Sequence, residues 1–568
     1  MYRCITLVAG LIICLPCAAR AAGASTPFRT VYPSNFVLGN GAALVTSAES
    51  ARPNLWKESI EHKYAKLTTS PDYVQVPVPA TSGLYVAPIN RVTVRYSFKF
   101  SDSQNHNASW TLEVHANNGG TYHKVGTLTL KTRFIHVLEG TNSQFLPAPA
   151  GSAETELQRW WEEATAVLTE EVPADCNIRV RKGANDLASV YYIDAIDLER
   201  APSALTKPAG AFDITAYGAV AGDGNDDGPA LNQAIVAARS GNRKVWIPPT
   251  SAPFEIKQQI AITSSDSGLE ILGAGYWHSK LLRQAGSGET TPRHIFNLKG
   301  GANDILIHHL KMDFDFAGRR LSLNERVGHH VYSANQSPAP SGLEMHDLWM
   351  THGSTPLWWD GMNANLHHNR VRYNYADGFH MEDRAANNLV THNSIRGNGD
   401  DGLPSVVGLG TGGHDNQFKF NTVEGIYFGR GVAVIGGRNV TISDNVIRGG
   451  NVSCGILIRP FYGATKQDPV VHCVVSNNTF DGVGAESMAN ISTHFGTVGN
   501  NVGSSTDYGV AMNSNLFSNP PNTGATGGVH IEGSSGYFMK LQGTGNTLPP
   551  IQNDKAPHAS DSFTGQFN

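Results

Sequence analysis

Between about Asn303 and Asn501 one short pattern keeps returning: an apolar, strand-like run that closes on a polar step with Asn or Asp. It appears as Ile305-Leu-Ile-His-His309, Leu343-Glu-Met-His-Asp347, Asn365-Leu-His-His-Asn369 and Leu389-Val-Thr-His-Asn393. It continues as Gln417-Phe-Lys-Phe-Asn421, Val440-Thr-Ile-Ser-Asp-Asn445 and Val474-Val-Ser-Asn-Asn478. Counted from Asp347, the aligned positions are 347, 369, 393, 421, 445 and 478, with steps of 22, 24, 28, 24 and 33. Steps near 22–24 with occasional insertions predict a solenoid, because one repeat cannot bury its own apolar face and must stack on the next. The runs show no helical period, so residues 211–520 are expected to form a right-handed parallel β-helix with the Asn residues stacked as a turn ladder. The glycine surplus, 60 of 568 residues, fits a chain of many turns and shows no collagen-like period.

The N-terminal part is different. Over 27–205, period-2 runs such as Tyr73-Val-Gln-Val-Pro-Val and Val92-Thr-Val-Arg-Tyr-Ser-Phe-Lys-Phe lie between Gly, Asn, Ser and Pro. Short antiparallel strands without a repeat predict a β-sandwich of carbohydrate-binding type. One helical insertion is expected at Glu154–Leu168, carrying Trp160-Trp161, and Ala201–Gly210 reads as a linker. After it, Asp226-Asp227-Gly228-Pro229 starts a helix, with Asp accepting free N–H groups and Pro in the first turn. That helix would cap the coil stack and cover its edge. Residues 521–568 form a Gly/Pro/Ser-rich C-terminal segment.

Residues 1–24 read as a signal peptide: Arg3, an apolar stretch from Ile5 to Ala18, and small residues at Ala19-Arg-Ala21 or Ala22-Gly-Ala24. A secreted or periplasmic product is expected, without a membrane span in the mature chain. Lys+Arg 43 against Asp+Glu 48 gives a net charge of −5, which argues against a nucleic-acid partner. Cys176, Cys454 and Cys473 remain in the mature chain, and either Cys454 pairs with Cys473 or all three are small buried side chains. Zinc-like spacing is absent, and no metal or cofactor is expected.

Stacking turns the repeat into geometry. Asp377 follows Asn369 by eight residues and Asp401 follows Asn393 by eight, so the two acids share a position on successive coils, with Asp400 beside Asp401. Neighbouring strands lie about 4.8 Å apart. Carboxylates this close on an outer face cannot all ionise at ordinary pKa. A protonated acid beside an ionised base is what glycosidic cleavage requires. The other readings are solvated Asp-Gly turns or an oxygen-lined Ca²⁺ site. Around the trio, His380, Glu382, Asp383, His414, Asp415 and Arg430 are expected to contact substrate, together with Trp359 and Asp360 of the preceding coil. Exposed aromatic rings would give sugar C–H faces a platform.

Ala376-Asp-Gly-Phe-His-Met, Asn387-Asn-Leu-Val-Thr-His-Asn and Arg396-Gly-Asn-Gly-Asp-Asp-Gly-Leu resemble the catalytic core of the α-1,3-glucanase/mycodextranase family, glycoside hydrolase family 87. Phe212-Asp-Ile-Thr-Ala-Tyr-Gly-Ala and Tyr192-Ile-Asp-Ala-Ile-Asp-Leu are similar too, and the likeness spans roughly residues 50–500. The resemblance implies an inverting hydrolase with Asp400 as general acid and Asp377 with Asp401 activating water. The Arg-Ile-Lys motif of polygalacturonases is absent, Ile458-Arg459-Pro460 being the nearest approach, which favours a neutral glucan over an acidic pectin; a monomer acting on polysaccharide is expected. A β-helix lyase using Arg430 or Arg459, and a non-catalytic sugar-binding protein, are the competing readings.

Overall fold

The computed structural model describes residues 23–47, 58–99, 110–130, 161–183, 190–283, 294–315, 328–408, 412–426, 429–450 and 472–483, with shorter pieces among 137–158 and 455–565. The signal segment, Cys454, Tyr427 and most of 521–568 lie outside the described residues.

Residues 28–199 build two antiparallel sheets of six and five strands face to face. Their inner sides carry Val92, Val94, Tyr96, Val114, Val180 and Ile193, all fully buried. The segment expected to be helical is a strand, Glu162–Val172, paired antiparallel with Ile89–Lys99. Its Ala, Glu and Leu content favours a helix. The alternation of buried Glu162, Ala164, Ala166 and Leu168 with more exposed neighbours fits a sheet, and pairing decides.

From Phe212 onward the chain winds as a right-handed parallel β-helix with three faces. Face 1 has 13 strands, face 2 has 10 and face 3 has 11. A continuous apolar core runs through the coils, including Ile307, Met345, Leu366, Val390, Phe418 and Ile442 stacked along face 1. Helix α1 (Gly228–Ala238) closes the N-terminal end with Leu231, Ala234 and Ile235 turned inward. Asp227 precedes it without capping it: its carboxylate accepts instead from the N–H groups of Val220 (2.8 Å) and Glu255 (2.9 Å). Asp226 accepts from Gly228 at 3.0 Å.

The Asn ladder runs through Asn369, Asn393, Asn421, Asn445, Asn478 and Asn515. Each amide donates to the next amide oxygen at 2.9–3.1 Å, starting with Asn369 to Asn393 and ending with Asn478 to Asn515. Asp347 is not in this column. His346 pairs with His367, so Asp347 falls opposite His368 and Leu348 opposite Asn369. The Leu348 N–H caps the ladder on the Asn369 amide oxygen at 3.1 Å. Cys473 faces the coil interior as a free, buried thiol, its pKa pushed up to about 12 by that burial.

The sandwich packs on face 2 through charge. Arg370 and Arg372 project from one strand, Arg396 from the next coil, and Arg448 from two coils beyond Arg396. Arg370 meets Glu199 (2.7 Å), Arg372 meets Glu163 (3.2 Å), and Arg396 meets Glu163 (2.7 Å), Asp197 (3.0 Å) and Glu424 (2.9 Å). Arg448 reaches Asp481 (3.3 Å) and Glu424 (3.6 Å), and the Tyr32 hydroxyl donates to Glu424. Arg370, Arg372 and Arg396 are nearly water-free, with side chains at most 3 % exposed.

Candidate active site

The corner between faces 2 and 3 places one residue of each coil in a single column. Strand pairing on face 3 is in register: Trp359 opposes Met381, and Met381 opposes Ser405. Stepping back along the coils, Thr355, Asp377 and Asp401 share one position, and the pairing of Leu403 with Val432 extends the column to Arg430. Asp400 sits one residue before Asp401. One carboxylate oxygen of each of Asp377, Asp400 and Asp401 lies within 4.8 Å of the others. The same oxygens would also suit a cation, which the acids alone do not establish.

After Asp377, Asp401 and Arg430 the next position is glycine: Gly378, Gly402 and Gly431. A Cβ at Gly402 would sit 2.6 Å from the Gly431 carbonyl oxygen, and one at Gly431 would sit 2.7 Å from that of Gly455. The Asp-Gly steps are therefore where coils approach too closely for a side chain, and this fixes the acids' backbones against one another.

Asp377, Asp400 and Asp401 are each about 5 % exposed. They were expected to be exposed on an outer face; they do lie outside the coil core, but neighbouring chain covers them almost completely. Part of the cover is the chain at Gly429, where a Cβ would stand 2.6 Å from the Asp401 nitrogen. The Asp401 N–H donates to Asp377 Oδ1 (3.0 Å), and Asp401 Oδ1 accepts from the Arg430 N–H (2.8 Å) and from its guanidinium (3.3 Å). Burial holds the Asp401 carboxyl above the ordinary range; Arg430 pulls it back, and the nearby Asp377 charge pushes it up again.

His380 joins two acids: Nδ1 is 2.7 Å from Asp377 and Nε2 is 2.5 Å from Glu382. Burial alone would lower its pKa, but these two hydrogen bonds and charges outweigh it and push it up to about 10. His380 is therefore a cation at neutral pH. Asp383, at the end of the same strand, accepts from the Gly408 N–H at 3.1 Å, and burial raises its carboxyl.

Four expected contacts fall elsewhere. Trp359 is fully buried in the coil core, its Nε1–H donating to Asn388 at 3.0 Å. The residue that faces outward is Trp358, whose ring stacks on His380 with centroids 4.0 Å apart and planes 10° apart. With that face covered by His380, Trp358 is no open sugar platform. Asp360 is consumed by structure, accepting from the Arg384 backbone (2.9 Å) and guanidinium (3.1 Å) and from the Asn335 N–H (3.0 Å). His414 and Asp415 pair with each other at the corner between faces 3 and 1, at the far end of the face 3 strands from the trio. Asp415 there lines a shallow pocket with Gln417, Asn439, Thr441 and His472.

Thr355 continues the acid column one coil back and is hydrogen-bonded to His329 Nδ1 at 2.5 Å. Aligning Trp359 with Met381 would have placed Trp358 with the outward His380.

The residues on both sides of the linker match models of one family. Residues 25–201 match the α-1,3-glucanase catalytic domain D1 and residues 227–504 the α-1,3-glucanase catalytic domain D2. Among solved structures, the Agl-KA catalytic domain superposes with a TM-score of 0.70 at 20% identity, over 96% of this chain and 99% of that one. The catalytic unit of the thermostable GH87 α-1,3-glucanase from Streptomyces thermodiastaticus strain HF3-3 gives 0.70 at 20% identity, over 96% of each chain. A GH87 α-1,3-glucanase catalytic domain in complex with tetrasaccharides gives 0.71 at 18%, over 92% of this chain and 89% of that one. No curated protein matches the chain. The two-part architecture and both family matches place this chain in the α-1,3-glucanase family, glycoside hydrolase family 87, and make it a polysaccharide-degrading glycosidase.

Proposed function

We propose that the protein hydrolyses α-1,3-glucan with inversion at the anomeric carbon, using Asp377, Asp400 and Asp401. The observation that carries this reading is the meeting of three buried carboxyl groups on two stacked coils, beside a partly exposed Arg430 and a cationic His380. Asp400 gives its proton to the leaving glycosidic oxygen. Water held between Asp377 and Asp401 loses a proton to them as its oxygen bonds to the anomeric carbon from the opposite side, so one C–O bond forms and one breaks. The oxygens are nearer than the ~6.5–9.5 Å usual for inverting carboxyl pairs. A water seated between two of the acids supplies the nucleophile within that smaller space.

A second observation points the same way. Catalytic domains of family 87 complexed with nigerose or tetrasaccharides include three alanine variants of separate aspartates. Their sequence intervals equal those from Asp377 to Asp400 and from Asp400 to Asp401. Arg430 is committed to Asp401, which leaves it poorly placed as the free base of a lyase. We further propose that the protein is exported by its N-terminal segment and acts as a monomer on extracellular polysaccharide.

The test is incubation of the purified protein with α-1,3-glucan, nigeran, dextran and polygalacturonate, with products resolved by mass, linkage and anomeric configuration. Inverted gluco-oligosaccharides from α-1,3-linked substrate are expected. A retained anomer would overturn the mechanism but spare the site. An unsaturated, ultraviolet-absorbing product would overturn hydrolysis itself.

A further inference from the structure

Away from the cleft, a second group of ligating side chains converges at the corner between faces 1 and 2. His308 pairs with His346 on the next coil, so His308-His309 and His346-Asp347 occupy the same two positions one strand apart. The second residue of each step is left-handed, with φ 57° at His309 and 50° at Asp347. The result is a square of three imidazoles and one carboxylate. One nitrogen each of His308, His309 and His346 lies within 4.8 Å of the others. Asp347 Oδ2 is 2.8 Å from His346 Nδ1 and 3.8 Å from His309 Nε2.

The surroundings prepare these rings for a metal. Glu270 lies 3.2 Å from His308 Nε2, which directs a proton there and leaves the Nδ1 lone pair toward His309, 2.6 Å away. A carboxylate behind a histidine is the usual outer-shell support of a metal ligand. The His346 ring is held between His308 and His367, with centroids 4.6 and 5.0 Å away. The ladder continues through His367, His368 and His392 to Phe420. Asp347 also falls opposite His368 on the next coil, but among the described residues the histidines whose ligand nitrogens converge within 4.8 Å are His308, His309 and His346.

We propose that His308, His309, His346 and Asp347 bind one divalent transition ion of the Zn²⁺ or Cu²⁺ class, joining two consecutive coils. Imidazole nitrogen suits these ions. Bond lengths of about 2.0–2.1 Å set tetrahedral ligand atoms roughly 3.3 Å apart, so the His308–His309 pair, 2.6 Å apart, must open while the wider separations close. His309 and His346 are partly exposed and can turn to do so.

The experiment uses the full chain, stripped with chelator and dialysed. Zn²⁺ alone is titrated by calorimetry, Cu²⁺ is followed by electron paramagnetic resonance for nitrogen coupling, and melting is compared with and without Zn²⁺. Expected are one equivalent per chain, nitrogen coupling, and a melting temperature that rises with free Zn²⁺. His309→Ala with His346→Ala should weaken binding at least ~10-fold and abolish the melting shift, whereas His392→Ala should change neither. If the double variant does not fold, Asp347→Asn and His346→Gln singly carry the same expectation of weakened binding. The absence of saturable uptake, unchanged affinity in these variants, or loss of binding in His392→Ala would overturn the site.

Discussion

Two clusters of buried charge sit on neighbouring faces of the same coils, and they are built on opposite rules. On face 2, Arg370, Arg372 and Arg396 meet Glu163, Asp197, Glu199 and Glu424, with nearly every charge touching its opposite. At the adjoining corner, Asp377, Asp400 and Asp401 stand together with Arg430 and His380 as the cations in contact with them. The first cluster is matched across two domains and holds them together. The second is left short of positive charge, which keeps a carboxyl proton available for chemistry. The same buried environment therefore gives adhesion where charges are paired and reactivity where they are not.

The largest effect should come from unbalancing the matched cluster. Arg396→Met leaves Glu163, Asp197 and Glu424 without their shared cation. Removing one partner of a buried pair costs about 3–5 kcal/mol, so denaturant unfolding should show a loss of that size or no folded protein. A stability close to wild type would mean the interface is not held by this charge.

The unmatched cluster should answer in the reverse way. Asp377→Asn, Asp400→Asn and Asp401→Asn should each lower turnover by more than ~10²-fold, while melting temperatures stay level or rise as repulsion is relieved. Asp400→Asn should regain activity on substrates with a good leaving group, and Asp377→Asn should not. Near-full activity in the Asp377 or Asp400 variant breaks the comparison at its catalytic end.

His380 tests the border between the two rules, because it supplies positive charge to an acid cluster. His380→Gln should reduce turnover by about tenfold, at the low edge of acid–base effects. Its folded pKa of about 10 lies above the ordinary histidine value of 6.5. The stability it contributes is therefore complete below pH 6.5 and is lost as pH rises through about 10. Unfolding of wild type and variant across that window should show their difference shrinking towards pH 10; a constant difference would remove the cation from the site.

The smallest effect belongs to Trp359. Trp359→Phe gives up the hydrogen bond to Asn388 and little volume, so it should cost about 1–2 kcal/mol of stability and leave turnover unchanged. Turnover that fell with intact folding would return Trp359 to the cleft.

The sequence made the coils and the shared position of Asp377 and Asp401 legible because in-register stacking converts spacing directly into neighbourhood. It failed where a pattern had two readings. The Ala- and Glu-rich stretch around Trp161 has helical composition but a period-2 burial pattern. The Trp358-Trp359 pair needed the parity of its strand, and Asp347 was one residue out of register because Leu348, without an amide, takes the ladder position. The sandwich partners of Arg370, Arg372 and Arg396 could not be read at all, since they lie some 170 to 230 residues away in another domain.

The in-register columns carry one more implication. Between neighbouring coils the step varies from 21 to 37 residues, as from Leu348 to Asn369 and from Asn478 to Asn515, while the stacked positions hold. Chain length is therefore absorbed at the corners and never reaches the acids. At the corner that carries the trio, Gly429 and Gly431 pack too closely on Asp400 and Gly455 to admit a side chain. Insertions and deletions between the strands can therefore reshape the outline of the coils while the register of the acid column stays fixed.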